Sequence, residues 1–378
     1  MPHPQRVLPE SLPVLGRGHL DACVPAGAGS AIAGYFQTLT ECEVLGFEVT
    51  VADRPLPVRR VALGQPSPDI AALPHCSNLP AAERCRFHIE LEVPHASLPE
   101  HSLLTVRPRT SAGPVLGLRL LHRPTTPRPD DAAIQSVGGG YEAVAQEYLA
   151  YMVDLVGLQP TARVLEVGCG IGRMALGLSA YLARSASYTG LDVMPAALDI
   201  ARATFQGRAE TDRFRFRHLD VYNGWYNPYG AQRARDVELR QYTAGEVDFI
   251  LMTSLLTHLF PEDAAHYLGQ CRAVLAPDGA ILTTAWIMDE RTKAATRAGR
   301  SAIPFRELDG YWVESESNPE GALAHEEASL LAAIQAAGLQ VVHRIPGFWS
   351  GSVGLSFQEL LVLARADGAR HERRLRDG

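Results

Sequence analysis

The stretch VLEVGCGIGR, Val164 to Arg173, constrains this chain more than any other. An apolar, β-branched run carrying one acid, Glu166, breaks into glycines at positions 168, 170 and 172. Glycine allows positive φ and lets a ligand approach the backbone where a Cβ would collide. The pattern reads as a strand ending in a ligand-holding turn. Its spacing is Gly-x-Gly-x-Gly, whereas the dinucleotide fingerprint is Gly-x-Gly-x-x-Gly. A Walker loop needs Lys-Ser/Thr after its last glycine, and Arg173-Met174 is not that. Glu166 would repel phosphate but suits a ligand with an ammonium group.

Around this turn, strands and helices alternate. ARVLEVGCG, SYTGLDV, FRFRHLDV, VDFILMTS and AILTTAWIM read as strands. MALGLSAYLA, AALDIARATF, PEDAAHYLGQCRAVL and EEASLLAAIQAAG read as helices, and YEAVAQEYLAYMVDLVGL precedes the first strand as another. The pattern predicts an α/β fold with a mostly parallel, seven-stranded sheet covered on both faces. The last two strand candidates, LQVVHRIP and SFQELLVLAR, have no helix between them, so they pair antiparallel.

Before residue 130 the character differs. FEVTVA, FHIELEV, SLLTVRPR and VLGLRLLHR alternate with period two between prolines and glycines, which predicts a small β-sandwich. The expected organisation is a segment over 1–18, a β-sandwich-like accessory domain over 19–122 and a proline-rich linker over 123–132. An α/β domain over 133–366 and a basic, solvated tail over 367–378 follow.

Composition narrows the function classes. Across 378 residues, 46% hydrophobic and 20% charged content describe a globular protein, and a net charge of −7 gives no basic field for nucleic acid. No apolar run approaches the ~20 residues of a membrane span. Proline interrupts the N-terminus where a signal peptide needs an apolar core, so a cytoplasmic location is expected. The six cysteines then read as reduced thiols. His75, Cys76, Cys85 and His88 lie close in sequence but lack a Cys-x2-4-Cys knuckle, so they predict a loop rather than a metal site.

Two further acids refine the ligand. Asp192 ends the strand YTGLDV, where a carboxylate can accept both ribose hydroxyls; alone it would fit NAD equally well. Asp220 ends FRHLDV, where it can accept from an adenine amino group while the Val221 N–H meets a ring nitrogen. An amine, a ribose and an adenine without a diphosphate describe S-adenosylmethionine.

Residues 135–366 resemble class I S-adenosylmethionine-dependent methyltransferases, through VLEVGCGIGR, YTGLDV, FRHLDVYN, VDFILMTSLLTHLFPEDAAHYL and RAVLAPDGAIL. A finer resemblance, through GGGYEAVAQEYLAYMV, DVYNGWYNPYG and GFWSGSVGLSFQE, is to bacterial enzymes linked to sugar and cell-surface glycan modification. Glu359 stands where that pattern carries an aspartate. GHLDA and GQPSPDIAAL resemble β-sandwich modules of glycan-modifying enzymes.

The expected cofactor contacts are Tyr141, Glu166, Gly168, Cys169, Gly170 and Gly172 before and in the turn. Asp192, Val193, Asp220, Val221, Thr253 and Ser254 follow at later strand ends. In an open α/β sheet the ligand crevice lies outside the carboxyl ends of the strands. That rule makes His258 the foremost candidate base, with Asp289, Glu290 and Glu359 behind it. Trp225, Tyr226, Trp286, Trp349 and Gln358 are candidate acceptor contacts.

The activity this implies is in-line methyl transfer to a hydroxyl of a saccharide or small metabolite. N-methylation of a small molecule, and a glycan- or partner-binding scaffold with an inactive fold, are the alternatives. A nicotinamide oxidoreductase conflicts with the glycine spacing and with Glu166. No metal ligands are assigned, although the acids near Asp289 would allow a divalent ion. Oligomeric state is left open.

Overall fold

The computed structural model describes residues 16–207 and 212–368. Residues 1–15 and 369–378 lie outside it, and with them most of the expected N-terminal segment and basic tail. The described residues fall into two compact units, those within 1–160 and 173–182 and those within 161–172 and 183–378.

The first unit opens with nine strands: β1 (Gly16–Ala26), β2 (Gly29–Thr38), β3 (Val44–Val51), β4 (Arg54–Pro55), β5 (Val58–Gln65), β6 (Arg86–Leu91), β7 (Ser102–Thr110), β8 (Gly113–Pro114) and β9 (Leu118–His122). They form two antiparallel sheets, ordered β1-β2-β6-β5 and β4-β3-β7-β8, with β9 also on β7. The period-two alternation explains the pairing. Ile32, Phe87 and Ile89 of one sheet and Phe47, Val49, Leu104 and Val106 of the other share one buried cluster. Helix α1 (Pro68–Ala71) lies in the connection to β6.

This unit runs past the expected linker. Helices α2 (Asp131–Ser136), α3 (Tyr141–Ala150) and α4 (Arg173–Tyr181) belong to it. α3 continues into a π-helical turn, Tyr151–Leu155, whose Asp154 explains the extension. It accepts hydrogen bonds from Arg107 (3.1 Å), Arg119 (3.0 Å) and the Gly117 N–H (2.8 Å), fastening the helix end to the β strands. Arg119 is itself buried, so removing Asp154 would strand a cation. Arg173 donates to the carbonyls of Val137 and Gly139, each at 2.8 Å, which ties the start of α4 to the turn before α3.

The second unit holds a seven-stranded sheet, ordered β12-β11-β10-β13-β14-β20-β19. Its members are β10 (Arg163–Val167), β11 (Ser187–Asp192), β12 (Phe214–His218), β13 (Val247–Met252), β14 (Leu275–Ala285), β19 (Leu339–Ile345) and β20 (Glu359–Arg365). β10 to β14 run parallel; β20 inserts between β14 and β19, antiparallel to both. The expected fold class is therefore observed. Helices α5 (Pro195–Phe205), α6 (Pro261–Val274) and α8 (Glu327–Ala336) provide the crossovers. α5 and α6 start on prolines, and α6 carries Glu262 and Asp263 in its first turn, which suits the helix dipole.

One element differs from expectation. AILTTAWIM is not a single strand, because β14 ends at Ala285 and Ile287–Met288 form β15 in another sheet. That small sheet, ordered β15-β18-β17-β16, also contains β16 (Arg306–Leu308), β17 (Tyr311–Val313) and β18 (Leu323–Glu326). Between β15 and β16 lies helix α7 (Glu290–Arg297). The small sheet has its own core: Trp286, Met288, Phe305, Trp312, Ala324 and Trp349. No described helix is long and apolar enough to cross a membrane.

Candidate active site

The sheet order places the ends of β12, β11 and β10 side by side, followed by β13 and β14. Glu166, Asp192 and Asp220, which follow one another in sequence at strand ends, thus meet along one edge. Gly168, Gly170 and Gly172 take φ of +85°, +51° and +79°. Each conformation is costly for a residue with a Cβ. A Cβ on Gly168 would meet Leu255 at 3.6 Å, an ordinary contact, so the positive φ rather than a collision favours glycine there.

The turn is tied to β11 rather than left free. The Gly168 and Cys169 N–H groups donate to the Leu191 carbonyl at 2.8 and 2.9 Å. The Asp192 carboxylate accepts from the Gly170 N–H at 2.6 Å and from the Met194 N–H at 2.9 Å. Burial pushes this carboxyl above the usual carboxylate range, although the backbone donors pull it back. Asp192 therefore shapes the turn before it meets any ligand. Val193, beside it, accepts from His218 Nε2 at 3.2 Å through its carbonyl.

Glu166 differs from expectation. It is fully buried and accepts from the Tyr188 hydroxyl at 2.5 Å, so it sits in the interior and not on an open cleft. Cys169 is buried beside it; burial, and then the charges of Asp192 and Glu166, push its thiol up. Gly190 makes this arrangement possible, since a Cβ there would lie 2.8 Å from Tyr188 Oη and 2.9 Å from Cys169 Sγ. The Val221 N–H also departs from expectation: it donates to the Leu219 carbonyl at 2.7 Å in a tight turn. Asp220 is only half-buried and accepts from the Ala231 N–H at 3.3 Å. Tyr141, buried, begins α3 in the first unit.

Beyond β13 the polar groups interlock. Ser254 adopts φ of +55°, a strained value for a non-glycine residue. Its N–H donates to Thr284 Oγ1 at 2.7 Å, and its hydroxyl to Gln358 Oε1 at 3.1 Å. Thr284 donates to the same Gln358 oxygen at 2.6 Å. Gln358 thus joins the ends of β13, β14 and β20. Thr253, next to Ser254, is half-buried.

His258 lies on the short 3-10 turn after Ser254. Its Nδ1 is 2.8 Å from the Glu320 carbonyl, so Nδ1 carries the proton and Nε2 keeps its lone pair. Nε2 faces the Tyr226 hydroxyl at 3.3 Å, with the two rings edge to face. Burial holds the imidazole below its ordinary value. Neutral and with one defined tautomer, it has the form a general base requires.

Glu320 has no sequence signal beyond a Pro-Glu-Gly turn far from the motifs. Its carboxylate accepts from Asn223 Nδ2 at 2.9 Å and from the Gly224 N–H at 2.6 Å. Asn223 Nδ2 also donates to the His258 carbonyl at 3.2 Å. This ring pins the segment that carries the aromatic residues. Trp225 is 58% exposed and Tyr229 93% exposed, so the segment presents aromatic surface to solvent instead of packing between layers.

The other candidate acids separate. Asp289 caps α7, accepting from the Thr292 N–H at 2.8 Å, and pairs with Arg344 at 3.0 Å. Burial raises its carboxyl, but the Thr292 bonds and Arg344 outweigh that and hold it below the usual range. Glu290 points to solvent beside Lys293. Both are corrected from candidate bases to helix-terminal and surface groups. Glu359 is 2% exposed and accepts from Trp349 Nε1 at 2.6 Å. Burial pushes it up to about 7. It opens β20 opposite Ala285, at the carboxyl end of β14. Trp286 is buried with no hydrogen-bond partner for its Nε1.

Part of the chain is similar to known proteins. Residues 165–281 match the family model described as a methyltransferase domain. The chain is 29% identical over 171 residues to protein-L-isoaspartate O-methyltransferase 2 of Polaromonas sp. (strain JS666 / ATCC BAA-500), covering 44% of this chain and 70% of that protein. Among solved structures it is similar to the mitomycin 7-O-methyltransferase MmcR at 19% identity and a TM-score of 0.37, over 54% of this chain. The match spans about half, 49%, of that enzyme. It is also similar to magnesium protoporphyrin IX methyltransferase of Synechocystis PCC 6803 with bound S-adenosylhomocysteine. There the identity is 14%, the TM-score 0.40, and the coverage 63% of this chain and 89% of that one. Residues 165–281 thus carry a methyltransferase domain, and S-adenosylmethionine is its methyl donor.

Proposed function

We propose that the chain methylates a hydroxyl of a small hydroxylated metabolite or saccharide, with His258 as general base. The observation that carries this reading is the fixed tautomer of His258, whose Nδ1 meets the Glu320 carbonyl at 2.8 Å and whose Nε2 is left as acceptor. S-adenosylmethionine supplies an already activated methyl on a sulfonium. The protein's task is therefore to align the acceptor within about 3–3.5 Å of that methyl and to remove its proton.

In this reading the Gly168–Gly172 turn, with Cys169, clears backbone space for the amino-acid end of the cofactor. Glu166 sets the charge behind that turn. Asp192 and Val193 hold the ribose, Asp220 and Val221 the adenine end, and Thr253 and Ser254 border the site beyond β13. The acceptor enters beside Tyr226, and its hydroxyl gives its proton to His258 Nε2. Trp225 offers a flat face on which a sugar or ring can rest. Gln358 borders the far side, while Trp286 and Trp349, expected as acceptor contacts, are buried in the core of the small sheet and support the site from behind. Glu359, poised near neutrality, is the second candidate base.

The two N-terminal sheets form a sandwich-like accessory module over 19–122, for which a glycan is the fitting ligand class. The catalytic domain is assigned to 133–366, of which α3, α4 and most of α2 belong to the first compact unit. The six free cysteines support a reducing, cytoplasmic setting. The test is labelled methyl transfer from S-adenosylmethionine to a panel of nucleotide sugars, glycans and small phenols or alcohols, read by product mass. Methylation confined to amine acceptors would replace the O-transfer reading.

A further inference from the structure

The sequence offers one Cys/His grouping, and the structure assembles a different one. Cys76 and Cys85 of the sequence-adjacent group are buried in a small apolar cluster with Ile70, and Cys85 Sγ lies 3.3 Å from Ser67 Oγ. Elsewhere in the first unit, Cys23 of β1, His95 and His122 of β9 each bring one ligand atom to within 4.8 Å of the others. These residues come from three separate parts of the chain, so no spacing motif announces them.

The local chemistry suits a metal. Cys23 is a free thiol. His95 Nε2 meets the Cys23 carbonyl at 3.1 Å; a carbonyl only accepts, so Nε2 carries the proton and Nδ1 keeps its lone pair. A backbone carbonyl on the far nitrogen is the usual outer support of a metal-bound histidine. The His95 and His122 rings stand edge to face with centroids 4.9 Å apart. Four-coordinate zinc, with bonds of about 2.0–2.3 Å, needs its ligand atoms about 3.3–3.6 Å apart. A shift of about 1 Å in the ligand atoms would bring them to that spacing.

We propose that Cys23, His95 and His122 form a binding site for a borderline-soft divalent transition ion such as zinc, with a solvent molecule as fourth ligand. Two imidazoles and a thiolate favour such an ion over magnesium or calcium. The Cys23 thiol gives its proton to solvent as the metal–sulfur bond forms, and no electron is transferred. Cys23 and His122 belong to the two different sheets, so the ion cross-links them. Arg123 competes for the site. Its Nε donates to His122 Nε2 at 3.0 Å, and either ring nitrogen of His122 can bind metal only once that bond is given up. Arg123 has alternative partners in the Leu98 carbonyl and Glu100.

Cobalt titration of the metal-stripped full chain tests the site. We expect one Co2+ per chain with a thiolate-to-cobalt charge-transfer band, loss of that band in Cys23→Ser, and at least tenfold weaker binding in His95→Gln. Arg123→Gly, accommodated because Arg123 already has φ of +41°, should bind at least tenfold more tightly. A chain that shows no such band at stoichiometric cobalt, or keeps it in Cys23→Ser, overturns the proposal. Should Cys23→Ser fail to fold, the unaltered chain decides: zinc must shield Cys23 from iodoacetamide while leaving the half-buried Cys42 reactive. Equal labelling of Cys23 with and without zinc overturns the site.

Discussion

Replacing Glu359 with glutamine should uncouple stability from pH in a way the structure lets one calculate. The carboxyl is 2% exposed, and burial lifts it from 4.5 to about 7. A carboxyl raised on folding binds its proton more tightly in the folded chain than in the unfolded one. Its contribution is therefore intact below pH 4.5 and is lost as pH rises towards 7. A rise from 4.5 to about 7 corresponds to about 3 kcal/mol of stability missing above pH 7. Integrated over titration, the loss is about 1 kcal/mol at pH 5 and about 3 kcal/mol at pH 8. Glutamine has no charge to desolvate, and its amide oxygen can still accept from Trp349 Nε1. Glu359→Gln should thus gain about 2–3 kcal/mol on the wild type between pH 5 and pH 8. Urea unfolding of both proteins at pH 5, 6, 7 and 8, followed by circular dichroism and tryptophan fluorescence, measures that gap directly. A gap that stays constant across the range would mean that Glu359 titrates like a surface carboxylate. The account of its burial, and its place as second candidate base, would then be withdrawn.

Other residues carry equally definite expectations. S-adenosylhomocysteine should raise the melting temperature of the chain and NAD should not. Asp192→Ala should abolish that shift and also destabilise the unliganded protein by about 2–4 kcal/mol, because the Gly170 and Met194 N–H groups lose a charged acceptor. An unchanged melting temperature without ligand would refute the anchoring role. His258→Asn should bind S-adenosylhomocysteine normally yet turn over about 10²–10⁴-fold more slowly. In the wild type, activity should fall with acidity only below pH 6.5, since burial depresses this imidazole and only its neutral form accepts a proton. Full turnover in His258→Asn removes it as the base. Trp225→Ala, at a 58% exposed position, should leave thermal stability within about 0.5 kcal/mol while raising the acceptor KM. An unchanged KM would make the exposed aromatic segment irrelevant to recognition.

Where the cofactor candidates fall in the fold was legible because they sit on local strand–turn patterns. Gly168, Gly170 and Gly172 follow directly on β10, and Asp192 and Asp220 stand at or just beyond the ends of β11 and β12. Once parallel strands with crossover helices are recognised, those ends fall on one edge. The reading was less complete for Glu166 and Val221, whose hydrogen bonds to Tyr188 and Leu219 depend on neighbours that no motif marks. Asp289 and Glu290 shared the right stretch of chain with the site. Asp289 became the cap of α7 because its side chain reaches Thr292 three residues on, a bond the sequence permits but does not single out.

The sequence alone determined the strand–turn–strand logic: alternation fixes which faces are buried, glycines fix where the backbone bends left, and strand-end acids fix the polarity of the edge. Tertiary structure decided the candidate acceptor side. The strands of the small sheet are too short, two to four residues each, to show a period. His258 acquires its tautomer from a carbonyl at position 320, and Glu359 its high pKa from burial beside Trp349. Cys23, His95 and His122 meet only because the strands and loops that carry them come together in the folded first unit. Hydrogen bonds and desolvation act over a few ångströms in space, whatever the separation along the chain. Groups whose chemistry depends on such long-range neighbours are therefore fixed only when the chain has folded.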